Sequence, residues 1–366
     1  MSNDKNLLIF NLKTDADDNV LGFTTDWINE LAKHFRRVFV ITMSAGRTVV
    51  ADNVQVFSIG KEKGYSEPRR VLEFYFLLYR VLRSEKIDAC FAHMMPLFVV
   101  MGWLLLKKKG IPIILWHAHK SVNSLLRIAV RLVDCVITSS KSGFQLNTHK
   151  LCVIGQGIDT DRFCPSPVDN SANSPFTLLT VGRLSPIKRV EILIEALAML
   201  RLRKPELDVQ VKIVGGPACP ADQKYIESLK TMAKNTDIAE QVEFVGNKVF
   251  SEIHRVYQIA DCFINLSDTD SVDKAVLEAM SCEIPVITSN SAFLEVLEPH
   301  VLSQWVINKG SVAALYEHIV TLLSMPVFER KTLGYRLRQI VVNEHSLHML
   351  GTRISDEINR LTGNQA

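Results

Sequence analysis

The sequence predicts an α/β protein made of two doubly wound, mostly parallel halves. Three observations lead there. Short apolar runs of strand length alternate with amphipathic helical runs along nearly the whole chain. The rhythm is broken between Phe163 and Phe176 by CPSPVDNSANSP, a stretch rich in Pro, Ser and Asn, and then restarts. The 366 residues suffice for two domains of roughly 100–200 residues each. The expected division is 1–165, 166–340, and a final helical segment 341–366.

In chain order, NLLIFNL reads as a strand, and TTDWINELAKHF as a helix with Thr24 and Thr25 as caps. RRVFVITM is a strand and PRRVLEFYFLLYRVLRSE a long amphipathic helix. Ala89 to Leu106 runs 18 residues without a formal charge, near the lower limit for a membrane span. His93 and Pro96 interrupt it, so it reads as strand KIDACFA, a loop at His93, and a helix from about Pro96. GIPIILWHAHK is a strand, and SLLRIAVRLVDCVITSS a helix followed by a strand. After the break come strand FTLLTVG, helix VEILIEALAMLRL, strand VQVKIVGG, helix QKYIESLKTMAKN, strand VEFVG and helix FSEIHRVYQIA. Strand DCFINLS, helix KAVLEAMSC and strand IPVITS follow, with a last helix around SLHMLGTRISDEINRLTG. Two such halves are expected to face each other across a cleft lined by strand ends.

Composition removes several classes. With 47% hydrophobic and 22% charged residues the chain is an ordinary globular protein. Its seven cysteines are scattered and form no CxxC pair, which argues against a disulfide framework or zinc ribbon and for a reducing, cytoplasmic compartment. The start, MSNDKNLLIFNLK, has no signal-peptide pattern. Residues 1–165 carry 22 Lys and Arg against 15 Asp and Glu, while 166–366 carry 20 against 24. The basic front half suits an anionic membrane surface or anionic substrate, or is a set of scattered solvated lysines. Nucleic acid is not indicated, since no basic stretch carries interleaved aromatics. GxSxG, HExxH, the P-loop and a GxGxxG after the first strand are all absent.

The sharpest motif is Val181-Gly182-Arg183-Leu184-Ser185-Pro186-Ile187-Lys188-Arg189, between a strand and a helix. Gly182 permits close backbone approach at a strand's carboxyl end. Arg183 and Lys188 add two positive charges beside a helix N-terminus, a combination suited to a diphosphate. About 80 residues on, DTDSVDKAVLEAM places Asp270 on a loop and Glu278 one turn into a helix starting near Lys274. Such carboxylates can accept hydrogen bonds from ribose and sugar hydroxyls, with the amides of Lys274 and Ala275 near phosphate between them. They are equally favourable as helix-start caps.

Taken together, VGRLSPIKR and DSVDKAVLEAMSCEIPVITS resemble the donor-binding half of glycosyltransferase family 4, of the GT-B type, and GQGIDTDRF resembles the passage into its C-terminal domain. The resemblance covers about 150–295 by motif and nearly the whole chain by rhythm, and it implies that the helix in 341–366 crosses back to the first domain. It implies a metal-independent, retaining transfer of sugar from a nucleotide-sugar to a glycan or lipid-linked acceptor, in polysaccharide or glycolipid biosynthesis. Arg183 and Lys188 are then expected to hold the diphosphate, Glu278 the ribose and Asp270 the transferred sugar. Gly215, Gly216, Val245 and Gly246 fall where relatives approach the nucleotide with backbone. The chain departs from the family pattern at Asp270, usually Glu, and at Asn290-Ser291-Ala292-Phe293-Leu294-Glu295, where Gly-Gly often precedes a glutamate.

The family also tends to place a histidine near the sugar. His119 is the favoured candidate, with His117 the alternate; strand alternation points both to one face if the strand persists. His93 and Gly22 are candidates for the acceptor side. Three DxD triplets, at Asp15–Asp17, Asp159–Asp161 and Asp268–Asp270, have the pattern of metal-binding triplets in other glycosyltransferases. Their repetition shows how cheap the pattern is, and Arg183 and Lys188 can balance a diphosphate, so no metal and no further cofactor is expected. The alternatives are a nucleotide-sugar epimerase or a phosphorylase on the same fold, and a non-catalytic partner subunit. Trp103 and the apolar Leu104-Leu105-Leu106 ahead of Lys107 fit peripheral contact with the inner face of a membrane, or a buried helix end.

Overall fold

The computed structural model describes residues 4–18, 20–167 and 175–363, so residues 168–174 of the expected linker lie outside the described residues. The chain forms two compact units, 1–159 with 346–366, and 160–345. The expected boundaries at 165/166 and 340/341 compare with 159/160 and 345/346. Residues just after Asp159 are held by the second unit: Arg338 donates to the carbonyls of Thr160 (3.2 Å) and Phe163 (3.1 Å).

The first unit contains β1 (Asn6–Thr14), α1 (Phe23–Ala32), β2 (Arg37–Ala45), β3 (Val54–Ser58), α2 (Glu67–Ser84), β4 (Ala89–His93), α3 (Pro96–Lys108), β5 (Ile113–Trp116), α4 (Ser124–Leu132), β6 (Cys135–Thr138) and β7 (Leu151–Val153). Its seven strands form a parallel sheet in the order β3-β2-β1-β4-β5-β6-β7. Alternation along β1 sorts its side chains to two cores. Leu8 and Phe10 pack with α2, α3 and α4, whereas Leu7 and Ile9 pack with α1.

The second unit contains β8 (Phe176–Val181), α5 (Val190–Arg203), β9 (Val209–Val214), α6 (Pro220–Asn235), β10 (Val242–Gly246), α7 (Ile253–Tyr257), β11 (Cys262–Asn265), α8 (Lys274–Ser281), β12 (Val286–Thr288), α9 (Leu294–Leu297), α10 (Val312–Ser324) and α11 (Val327–Ile340). Its five strands are also all parallel, ordered β10-β9-β8-β11-β12. Consecutive Leu178 and Leu179 are both fully buried, as expected for a parallel sheet covered on both faces.

A last helix, α12 (Leu347–Gly363), returns to the first unit. It is anchored where the Leu347 amide donates to the Ile158 carbonyl (2.7 Å). Leu350, Ile354 and Ile358, spaced four apart, sink into the core of Trp27, Ile28 and Leu31.

Two local expectations change. Thr24 and Thr25 lie inside α1 rather than capping it, because Gly22 holds the cap position and the Thr24 hydroxyl donates to the Lys13 carbonyl (2.7 Å). The uncharged run 89–106 divides into β4 and α3 at a turn where Met94 has φ of 52°. Among the described residues no single helix is long and apolar enough to cross a membrane.

Candidate active site

In the second unit β8 has β9 on one side and β11 on the other, so the connections diverge there and leave a crevice at the carboxyl ends of the strands. The backbone is drawn tightly together along this edge. The Gly182 amide donates to Val214 (3.0 Å), Leu184 to Gly216 (3.0 Å) and Gly215 to Gly246 (2.9 Å). Gly215 sits at φ 138°, and a Cβ there would overlap the Gly182 carbonyl oxygen, so no other residue fits. At Gly182 an added Cβ would make only ordinary contact with Lys188 Cε, at 3.5 Å; what favours glycine there is the backbone, at φ 146°. Val245 and Gly246 are half-buried at the end of β10.

The loops after β8 and β11 are tied together by the Asp268 amide, which donates to the Ile187 carbonyl at 3.0 Å. Lys188 reaches across to Asp273, its Nζ 3.0 Å from Oδ2 and 3.5 Å from the Ser267 hydroxyl. Asp273 caps α8 in sequence position, and Asn265 (3.0 Å) and Thr269 (3.1 Å) also donate to it. The lysine is thereby held at the positive end of a helix whose first amides, at Lys274 and Ala275, face outward along the axis. Arg183 is more exposed, its Nε 3.9 Å from Asp222. Asp270, at φ 49°, forms an ion pair with Lys309 and accepts from the Ser291 hydroxyl (3.3 Å).

Glu278 is buried, and its Oε2 accepts a hydrogen bond from the Tyr257 hydroxyl (2.8 Å). Burial raises its carboxyl above the usual range, opposed by the nearby charge of Lys274, the Tyr257 bond and Arg162. Burial, then the carboxylate beside it, pushes Tyr257 up as well.

The candidates in the first unit separate. β5 stops at Trp116, so strand alternation does not carry His117 and His119 to one face. His117 turns inward, buried against Phe144 with ring centroids 6.1 Å apart, and among the described residues neither ring nitrogen has a hydrogen-bond partner. Burial, then the neighbouring His119, lowers its pKa to about 4. His119 is exposed, and its Nδ1 accepts from the Ser121 amide (3.0 Å). His93 is a core histidine at the end of β4, 3.2 Å from Asn11 Oδ1 and packed on Trp27 at 5.0 Å. The Gly22 amide donates to the Asp18 carbonyl (3.0 Å) in ordinary helical geometry.

Residues 166–339 match the family described as Glycosyl transferases group 1, and residues 23–162 match Glycosyltransferase Family 4. The chain belongs to glycosyltransferase family 4. Among curated relatives, the putative colanic acid biosynthesis glycosyltransferase WcaL of Escherichia coli K12 is 25% identical over 221 residues, 58% of this chain and 52% of that protein. D-inositol 3-phosphate glycosyltransferase of Corynebacterium glutamicum is 25% identical over 339 residues, 80% of each chain. For others of that name the match spans only 31–39% of their length. Among solved structures, HepE of Anabaena in complex with UDP superposes with a TM-score of 0.76 at 19% identity, covering 97% of this chain and 100% of that one. Sucrose-phosphate synthase of Thermosynechococcus elongatus gives 0.76 at 15%, covering 98% and 100%. The fold is the GT-B fold.

In the second unit Gly182, Arg183, Lys188, Gly215, Gly246, Asp270 and the head of α8 all lie at the carboxyl ends of the strands of one sheet. Glu278 lies one turn inside, under Tyr257. The sequence did not single out Asp273, Lys309 or Tyr257. Asp273 was discoverable as an aspartate at a helix N-cap. Asn290, which donates to the Ser271 carbonyl (2.8 Å) and so shapes the Asp270 loop, sits where the family often has glycine. Lys309 and Tyr257 carry no local signal. In two of the three DxD triplets the carboxylates are engaged by cations: Asp15 by Lys13 (3.4 Å), Asp17 by Arg47 (2.6 Å), Asp268 by Arg189 (3.4 Å) and Asp270 by Lys309.

Proposed function

We propose that this chain is a retaining glycosyltransferase that moves a sugar from a nucleotide-sugar to a glycan or lipid-linked acceptor without a metal. The observation that carries the reading is Lys188 held by Asp273 at the head of α8, beside exposed Arg183, at the divergence point of the sheet. In the reaction the bond from the anomeric carbon to the diphosphate oxygen breaks as the acceptor hydroxyl oxygen bonds that carbon on the same face, and the hydroxyl proton passes to the departing diphosphate. Charge accumulates on the diphosphate, where Lys188, Arg183 and the α8 amides stabilise it. Asp270 would accept from hydroxyls of the sugar and Glu278 from the ribose. The backbone at Gly215, Val245 and Gly246 would flank the nucleotide. His119, with His117 the alternate, would contact the sugar from the first unit, with His93 and Gly22 behind the acceptor. The domains proposed for these roles are the two units described above.

HepE has been crystallised with UDP and with UDP-glucose, which makes uridine donors the first to try. WcaL's name points to polysaccharide assembly. A lipid-linked acceptor and a cytoplasmic place at a membrane face are favoured by α2, which exposes Leu72, Phe76 and Tyr79 on a helix that also carries Arg69, Arg70, Arg80 and Arg83.

The test is calorimetric titration of UDP, GDP and ADP in EDTA against wild type and Lys188→Ala. One nucleotide is expected to bind wild type and to lose roughly tenfold or more in the variant. Absence of binding by all three at millimolar concentration would sink the donor site and favour a silent partner subunit. Consumption of a nucleotide-sugar without an acceptor, giving an isomeric nucleotide-sugar, would favour the epimerase.

A further inference from the structure

On the helical face of the first unit, three potential metal ligands meet where α1 passes under α12. Glu30 lies near the end of α1 and His34 in the turn that follows the helix, four residues on, while His348 stands in the first turn of α12. Glu30 Oε1 is 3.2 Å from His348 Nδ1 and 3.7 Å from His34 Nε2, and all three atoms lie within 4.8 Å of one another. Ligands bound to zinc at about 2.0–2.1 Å in tetrahedral geometry stand roughly 3.3–3.4 Å apart, so the spacing suits one ion.

Two further features point the same way. His34 Nε2 is shielded from solvent and has no hydrogen-bond partner among the described residues, an unfavourable situation that a bound ion would relieve. Across from it is Gly351: an added Cβ would stand 3.1 Å from that nitrogen and 2.8 Å from Glu30 Cγ, so only glycine on α12 leaves this space open. Lys33 holds the other oxygen of Glu30, Oε2, at 2.6 Å, so Oε1 is the oxygen turned toward both histidines.

We propose that Glu30, His34 and His348 form a binding site for a divalent transition-metal ion, zinc in the first instance, that pins α12 to α1. Two neutral imidazole nitrogens and one carboxylate oxygen are a borderline-soft donor set that zinc accepts. His348 is three-quarters exposed, so the remaining coordination position opens to water. The ion would act on stability, by closing the chain's last helix onto its first, and the inference is independent of the donor-site reading.

The experiment uses the full chain, stripped of metal, titrated with zinc chloride alone by calorimetry and by thermal unfolding. Wild type is expected to bind one equivalent and to gain several degrees in Tm at saturation, reversed by EDTA. His348→Ala removes an exposed side chain and leaves the fold intact; it is expected to weaken binding roughly tenfold or more and to lose the Tm gain. His34→Gln is expected to do the same. Failure of wild type to bind at about 100 μM zinc overturns the proposal. So does full-affinity binding in both variants, which would assign the ion to the cysteines, among them Cys135 and Cys152 near Glu357.

Discussion

His117 makes the acid stability of the first unit calculable. Its imidazole is buried, and burial and the adjacent His119 lower its pKa from 6.5 to about 4. Above pH 6.5 the ring is neutral in both folded and unfolded chains and contributes nothing. As pH falls through 6.5 the unfolded chain takes up a proton that the folded chain refuses, so stability is lost until about pH 4. The full loss is about 3 kcal/mol, and between pH 7.5 and pH 5 it is about 2 kcal/mol. The assay is urea unfolding of wild type and His117→Gln at both pH values, followed by tryptophan fluorescence. Trp27, Trp103 and Trp116 all lie in the first unit, so the signal reports chiefly on it. Other titrating groups cancel in the difference between the two proteins. Wild type should lose about 2 kcal/mol more than the variant on going to pH 5. Equal losses, within about 0.5 kcal/mol, would refute the reasoning and mean that the ring protonates in place.

Three other substitutions test the second unit and the exposed helix. Gly215→Ala should cost about 2 kcal/mol or more and abolish nucleotide binding, because its Cβ would overlap the Gly182 carbonyl; unchanged urea midpoint would contradict this. Tyr257→Phe should destabilise by about 1–3 kcal/mol by removing the hydroxyl that satisfies buried Glu278, and should weaken UDP more than it weakens inorganic diphosphate, since the loss falls on the ribose contact. Equal weakening of both would remove Glu278 from the ribose. Replacing Leu72 and Phe76 together by Ser should leave Tm unchanged and reduce sedimentation with anionic phospholipid vesicles; undiminished sedimentation would exclude α2 as the membrane face.

The sequence disclosed those parts of the fold whose cause is local. β1, β4, β8 and β11 are central strands buried on both faces, and their apolar runs stand out. Edge strands β3 and β7 carry exposed Gln55 and half-exposed Val153 on short runs, and a sheet edge removes the pattern that would have marked them. The same division holds in the site. Arg183, Lys188, Asp270 and Glu278 were readable because glycine, charge and helix start lie within one short motif each. Their partners were not, since Lys188 meets Asp273 85 positions on, Lys309 meets Asp270 across 39, and Tyr257 meets Glu278 across 21. The strand that would have carried His117 and His119 to one face does not persist: GIPIILWHAHK continues the alternating pattern past Trp116, while the ladder hydrogen bonds end with the His117 amide on the Ile137 carbonyl.

The charge balance of the two halves turns out to be the wrong scale for judging an anionic donor. The second unit is the more acidic by composition, yet it holds the cations at the sheet edge. Each of them is already paired: Lys188 with Asp273, Arg189 with Asp268 and Glu191, Lys309 with Asp270, and Arg183 at 3.9 Å from Asp222. Four cations against these carboxylates leave little net field beyond the roughly 8–10 Å over which salt screens exposed charges. A diphosphate bound there would therefore be recruited by exchange of close partners, with Asp273 releasing Lys188, rather than by steering from afar. The carboxylates keep the cations extended and ordered before the ligand arrives, which lowers the side-chain entropy lost on binding. On that account neutralising Asp273 should change how firmly Lys188 is positioned more than it changes the attraction of the site, and an Asp273→Asn chain should bind UDP with a lower enthalpy but an association rate close to that of wild type. A large rise in the association rate would show that long-range repulsion by the acidic half, and not local exchange, governs capture.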